Sequence, residues 1–169
     1  MNIILQKWTL DDCEKLVKIC NNMERTYLSN QIPYPYTQKD AEWWISMALE
    51  NDGREGVYRA IVCDGEYVGN ISIEKKNDVY SRDAEIGYYL LNSLSSKGIM
   101  TEAVEQICNL AWDELDVIRI TGLVYHLNIA SKKVLEKNNF ILEGIKKHAV
   151  YKSEKIYDLC VYGKCREDL

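Results

Sequence analysis

The sequence predicts an α/β domain built as a mixed central sheet with helices on both faces. Three observations carry that prediction. Short β-prone runs alternate with stretches whose apolar residues recur at helical spacing, an interleaving that forms one sheet covered on both sides. Two strand-like runs, residues 57–63 and 66–73, flank Asp64-Gly65, a two-residue hairpin signal. A third run, near residues 82–91, passes through a glycine-containing loop straight into a helical pattern. The 169 residues are expected to form a single domain, 1–169, long enough to bury its own core.

Taken in order, residues 3–8 read as the first strand. Thr9 then caps a helix whose first turn carries Asp11 and Asp12, with Leu10, Cys13, Leu16, Val17 and Cys20 as its buried stripe. A loop rich in Tyr and Pro follows. Thr37 and Asp40 have capping-box spacing and open a second helix to about residue 49, which turns Ala41, Trp44, Ile45 and Ala48 to the core. After the hairpin and the third run, Ala103, Ile107, Leu110, Ala111 and Leu115 mark one face of a helix over residues 100–115. Residues 117–125 are β-branched and apolar, a central strand. Asn128 caps a short helix to about residue 138, and Asn139 suits its left-handed end. Two last strands, residues 140–152 and 155–164, pair across Ser153-Glu154.

Composition narrows the partners. The net charge of −5 argues against nucleic acid, which needs a basic face, and suits a cationic acceptor. No long apolar run or signal peptide is visible, so no membrane partner and a cytoplasmic location are expected. Six cysteines without a C-x-x-C pair read as reduced core residues, not a disulfide framework. With only His126 and His148 and no ligand-spaced cluster, no metal is expected.

The loop Ser95-Ser96-Lys97-Gly98-Ile99-Met100-Thr101 has the character of an anion cradle. It delivers free backbone N–H groups to the start of a helix, where the positive end of the macrodipole also attracts phosphate. Gly98 lets the backbone approach a ligand closely. Neither a Walker A string nor a G-x-G-x-x-G spacing occurs.

This loop resembles the acetyl-CoA pyrophosphate loop, [QR]-x-x-G-x-[GA], of the GNAT superfamily of N-acetyltransferases. Ser95 stands in the Gln/Arg position and Met100 in that of the second small residue. The order of further segments is similar to that of the RimJ/RimL-type ribosomal-protein alanine N-acetyltransferases. Ile32-Pro33-Tyr34-Pro35-Tyr36-Thr37 with Ala41-Glu42-Trp43-Trp44 resembles their opening segment, and Ala84-Glu85-Ile86-Gly87-Tyr88 their fourth strand. Asn128-Ile129-Ala130-Ser131, followed by Glu136-Lys137-Asn138-Asn139-Phe140, resembles their N-x-x-S…EK-x-G-F segment, and Tyr157-Asp158 also fits. The resemblance implies the GNAT fold, with a mostly antiparallel sheet. It also implies acetyl-CoA as co-substrate, held by Leu90, Leu91, Ser95, Ser96, Lys97, Gly98, Ile99, Met100, Thr101, Asn128 and Ser131. The expected activity is direct acetyl transfer in a ternary complex to a primary amine: a protein N-terminus, a polyamine or another small amine. The chain is expected to be a monomer or homodimer.

Such a transfer needs a neutral amine, a polarised carbonyl and a donor for the leaving thiolate. Glu85, on the strand leading to the loop, is the candidate base; its other reading is a carboxylate orienting a neighbour. Gly87 is expected to mark a β-bulge. The superfamily's usual tyrosine acid falls at Leu135, and the resemblance passes that role to Ser131, whose alternative is a first-turn helix residue. Asn128 reads either as a contact to the pantetheine arm or as an N-cap. His126 reads as a second base or a solvated surface residue. Trp44 is assigned to the core, whereas Tyr34 and Tyr36 are expected to face the acceptor. The rival from another class is a non-catalytic acyl-CoA-binding sensor or scaffold, and a weaker one is a mononucleotide-binding α/β protein.

Overall fold

A computed structural model describes residues 1–168. A seven-stranded sheet runs in the order β1-β2-β3-β4-β5-β7-β6. Its strands are β1 (Ile3–Gln6), β2 (Gly56–Cys63), β3 (Glu66–Lys75), β4 (Asp83–Leu90), β5 (Arg119–Tyr125), β6 (Ile141–Lys152) and β7 (Lys155–Cys165). Every neighbouring pair is antiparallel except β4 with β5. The helices are α1 (Cys13–Asn21), α2 (Gln38–Asn51), α3 (Ile99–Glu114) and α4 (Ile129–Lys137). The mixed, mostly antiparallel sheet with helices on both faces is therefore as the sequence implied.

Two cores flank the sheet. On one face Ile61, Ile71, Ile73, Ile86, Ile120 and Val124 pack against Ile99, Ala103 and Ile107 of α3 and Leu135 of α4. On the other, Ala60 and Val62 pack with Leu16 and Ile19 of α1, Ala41 and Ile45 of α2, and Trp8. Strand alternation explains the division, since successive side chains point to opposite faces.

The turn chemistry operates as the sequence indicates. Asp64 and Gly65 both have positive φ, as do Ser153 and Glu154, the geometry that joins right-twisted strands in tight hairpins. At the start of α2, Thr37 Oγ1 accepts from Asp40 N–H while the Asp40 carboxylate accepts from Thr37 N–H. Asn139 ends α4 with φ 64°.

Four expectations need correction. The first strand stops at Gln6; Trp8 leaves it, is buried, and donates its indole N–H to Asn70 Oδ1 at 2.8 Å. The helix after Thr9 opens with a 3-10 turn over Leu10–Asp12, which rotates Leu10 into solvent at 54% exposure and out of the expected stripe. Among the cysteines, Cys165 is exposed and Cys63 half-buried, while the other four are buried and all six are free. Finally, β3 and β4 pair in unbroken register through Ser72 and Gly87, so Gly87 marks no bulge. What opens the sheet there is different: the parallel pairing of β4 with β5 ends at Ile86 opposite Gly122.

Candidate active site

Beyond Ile86 the last residues of β4 keep β3 on one side but lose β5 on the other. Alternate residues of this stretch turn their N–H and C=O groups toward an open seam. A cavity of about 850 Å³ occupies it. Its lining includes Glu85, Gly87 and Tyr89 from the α1/α2 face, and Ile86, Tyr88, Gly122, Ser131 and Leu135 from the α3/α4 face. The cavity thus passes through the sheet and joins its two sides.

On the α1/α2 side, β3 contributes Asn70, Ser72 and Glu74. Glu74 and Glu85 are register partners, so their carboxylates stand side by side on one face. Burial pushes the Glu85 carboxyl above the usual carboxylate range; Lys76 pulls against this and Asp83 adds to it. Burial likewise raises Glu74, opposed by the Ser72 hydroxyl and reinforced by Glu85. The roof is aromatic: Tyr27, Tyr36, Trp43 and Trp44 line it with Met47. Here the sequence reading needs revision. Tyr36 does line the cavity, but it is buried, with its backbone N–H bonded to Asn21 Oδ1 at 2.8 Å. Tyr34 is 70% exposed and lies outside the lining, beneath the Arg25 guanidinium. Trp44 is only half-buried, edge-on to Trp8 and Tyr58, and it faces the cavity as well as the core.

On the α3/α4 side, Asn128 resolves to the N-cap of α4, its Oδ1 accepting from Ser131 N–H at 3.2 Å. It also lines the cavity. Ser131 in that first turn holds its Oγ 2.6 Å from the hydroxyl of Tyr88. Leu135, one turn further on, is fully buried and packs so closely over Gly122 that a Cβ there would lie 2.7 Å from its Cδ1. His126 is exposed, sits 3.2 Å from Lys132 Nζ, and does not line the cavity.

The glycine loop lies beside this cavity and outside its lining. Gly98 has φ 81° and Ser96 φ 64°, and Gly98 N-caps α3 with open space where a Cβ would project. The first bond of the helix runs from Glu102 N–H to Gly98 O, so the N–H groups of Ile99, Met100 and Thr101 lie ahead of it without intrahelical partners. Ser95, Ser96, Lys97 and Gly98 are exposed; Leu90, Leu91, Met100 and Thr101 are half-buried; the Ile99 side chain is buried, leaving its N–H. Asn138 Nδ2 donates to Thr101 O at 3.1 Å and so ties the end of α4 to the start of α3. The structure brings Glu85, Asn128 and Ser131 to one cavity and leaves the loop candidates around the adjoining helix start.

Sequence reasoning missed Tyr88 and Glu74. The alternation Ala84, Ile86, Tyr88 against Glu85, Gly87, Tyr89 held the signal for Tyr88, since it assigns that phenol to the α4 face.

Residues 2–141 match the family described as the Acetyltransferase (GNAT) domain. The chain belongs to the GNAT acetyltransferase family. Among curated proteins it is 29% identical over 113 residues to the putative ribosomal N-acetyltransferase YdaF of Bacillus subtilis, covering 67% of this chain and 61% of that protein. It is 25% identical over 151 residues to the ribosomal-protein-serine acetyltransferase of Escherichia coli, covering 86% and 82%. The chain thus spans about three fifths of the first of these relatives. Solved structures share the fold: RimL, a ribosomal-protein alpha-N acetyltransferase in complex with coenzyme A, superposes with TM-score 0.83 at 20% identity, covering 98% of this chain and 94% of that one. Mycobacterium smegmatis RimJ in complex with CoA-disulfide gives 0.82 at 20%, covering 99% and 83%.

Proposed function

We propose that this protein transfers acetyl from acetyl-CoA to a primary amine, a protein N-terminal α-amine or a small-molecule amine, directly within a ternary complex. The observation that carries this reading is the cavity through the open seam. It unites a carboxylate on one face with a hydroxyl pair on the other, so an amine and a thioester entering from opposite sides meet at β4.

The residues divide the work accordingly. Ile99, Met100 and Thr101 present N–H groups, with the left-handed turns at Ser96 and Gly98, to the pyrophosphate of acetyl-CoA. The unpaired amides of β4 orient the pantetheine arm and polarise the thioester carbonyl. Glu85 takes the proton of the attacking amine, a role favoured by its raised carboxyl pKa. Ser131 donates to the sulfur as the C–S bond breaks. The lining holds Asp40, Glu74 and Glu85 and, among the described residues, no Lys or Arg, which suits a cationic acceptor. The ribosomal-protein acetyltransferases among the relatives support the N-terminal α-amine as one such acceptor.

The test is release of CoA thiol from acetyl-CoA with Ala- and Ser-starting peptides, spermidine and free amino acids in parallel. Amine-dependent release with at least one of them is expected. Saturable acetyl-CoA binding without turnover on any acceptor would overturn the enzymatic reading and leave a sensor or scaffold.

A further inference from the structure

The α4 position that in the resembling family carries a tyrosine is Leu135, and this leucine is committed to the core against Gly122. Its side chain carries no polar atom that could donate to a leaving thiolate. Yet a phenol does reach the same side of the seam, from a different element. Tyr88 projects from β4 to the α3/α4 face and places its hydroxyl 2.6 Å from Ser131 Oγ. Ser131 is itself fixed by the Asn128 cap on its backbone N–H, and both residues line the cavity.

Two hydroxyls in contact share one hydrogen bond and leave one O–H free. The phenol is the more acidic of the two and hence the better donor. With Tyr88 donating, the single Ser131 proton is released from the pair and is free to bond a group in the cavity that both residues line. Burial pushes the Tyr88 phenol up to about 12, which keeps it protonated, and so a donor, at any working pH. A hydrogen bond received by Ser131 polarises its own O–H and strengthens the bond it gives.

Resting on the acetyl-transfer reading, we infer that Tyr88 is a positioning residue of the leaving-group side, donating to Ser131 so that the serine hydroxyl is aimed at the thioester sulfur. The electron count is simple. The amine nitrogen bonds to the carbonyl carbon, the C–S pair leaves with sulfur, and the Ser131 O–H stabilises the thiolate. The amine proton goes to Glu85, and the thiolate takes a proton from solvent on release. Tyr88 keeps its proton throughout.

Tyr88→Phe keeps the ring and removes only the hydroxyl. It should lower kcat about 10- to 100-fold with the acetyl-CoA KM unchanged, the pattern of an interaction made mainly in the transition state. Ser131→Ala should do at least as much. The double variant should be no slower than Ser131→Ala, because Tyr88 acts only through Ser131. A Tyr88→Phe protein as fast as wild type, or losses that multiply in the double variant, would overturn the inference. A second measurement needs no Tyr88 variant. The thiolate absorbance of bound CoA, titrated against pH, should give a lower thiol pKa in wild type than in Ser131→Ala; equal values would overturn the shared basis of the proposal. Failure of the protein to bind CoA or turn over any amine would instead refute the acetyl-transfer reading, and the two failures are separately visible.

Discussion

Replacing Gly98 by valine separates a loop that binds from a loop that only turns. Gly98 sits at φ 81° and no heavy atom lies within 4 Å of a Cβ built there, so an added Cβ meets open space. Its penalty is conformational: a left-handed L-residue costs about 1–2 kcal/mol, more for a β-branched one. For a domain of this size each kcal/mol moves the melting temperature by roughly 2–4 °C, so the free variant should melt roughly 2–8 °C lower. The ligand response should change differently. In wild type a hundredfold excess of acetyl-CoA over its Kd adds about 2.7 kcal/mol, a shift of roughly 5–11 °C. If the strain turns the N–H groups of Ile99–Thr101 away and weakens binding a hundredfold, the same concentration adds only about 0.4 kcal/mol, or roughly 1–2 °C. Thermal melting with and without acetyl-CoA reads both quantities. A variant that melts lower but keeps the full ligand-induced shift would refute the loop assignment.

Two further outcomes follow from other residues. Arg59, 3% exposed, binds Asp52 at 2.5 Å and the Tyr58 carbonyl at 2.8 Å, so Arg59→Met strands the Asp52 carboxylate; because Lys7 remains 3.1 Å away, the loss should be about 3 kcal/mol in denaturant titration. Burial raises the Asp52 pKa, but Arg59 and Lys7 outweigh it and hold the group below its usual value. The difference between variant and wild type should therefore be full above about pH 4 and shrink on further acidification to the part that the Tyr58 carbonyl bond contributes; a difference independent of pH would contradict the ion-pair account. At the site, Lys76 pulls the Glu85 carboxyl down, so Lys76→Met should move the acid limb of kcat/KM up, while an unmoved limb would show that Lys76 does not act on Glu85.

Local chemistry is what the sequence disclosed well. Asp64-Gly65, the Thr37/Asp40 box, Gly98 and Asn139 each require a backbone geometry that few residues supply, so each is readable without its surroundings. The seam was not readable in this way. Gly87 suggested a bulge because a glycine in a strand is a local irregularity, whereas the opening arises where β4 parts from β5, a strand reached only after the whole of α3. The acceptor wall failed for a related reason. Tyr34 and Tyr36 are equivalent as loop residues, and the paired bonds between the Tyr36 backbone and the Asn21 side chain on α1 hold one of them inward. Glu74 and Tyr88 depend on neighbours distant in the chain, Glu85 across the hairpin pairing and Ser131 on α4. Glu85, Ser131 and Asn128 enter as candidates through family resemblance, and the structure places all three in the cavity lining.

The claim at the centre is that Glu85, on one side of the seam, takes the proton of an amine acetylated from the other. A pH–rate series on Glu85→Gln with two acceptors, one α-amine and one lysine-like amine, tests it most directly. The variant should lose rate at neutral pH and recover part of it at high pH, where solvent has already deprotonated the amine. Recovery should begin about 2–3 pH units lower for the α-amine, following the difference in reference pKa. Full activity of Glu85→Gln across the whole pH range with both acceptors would contradict the assignment and return the carboxylate to a structural role.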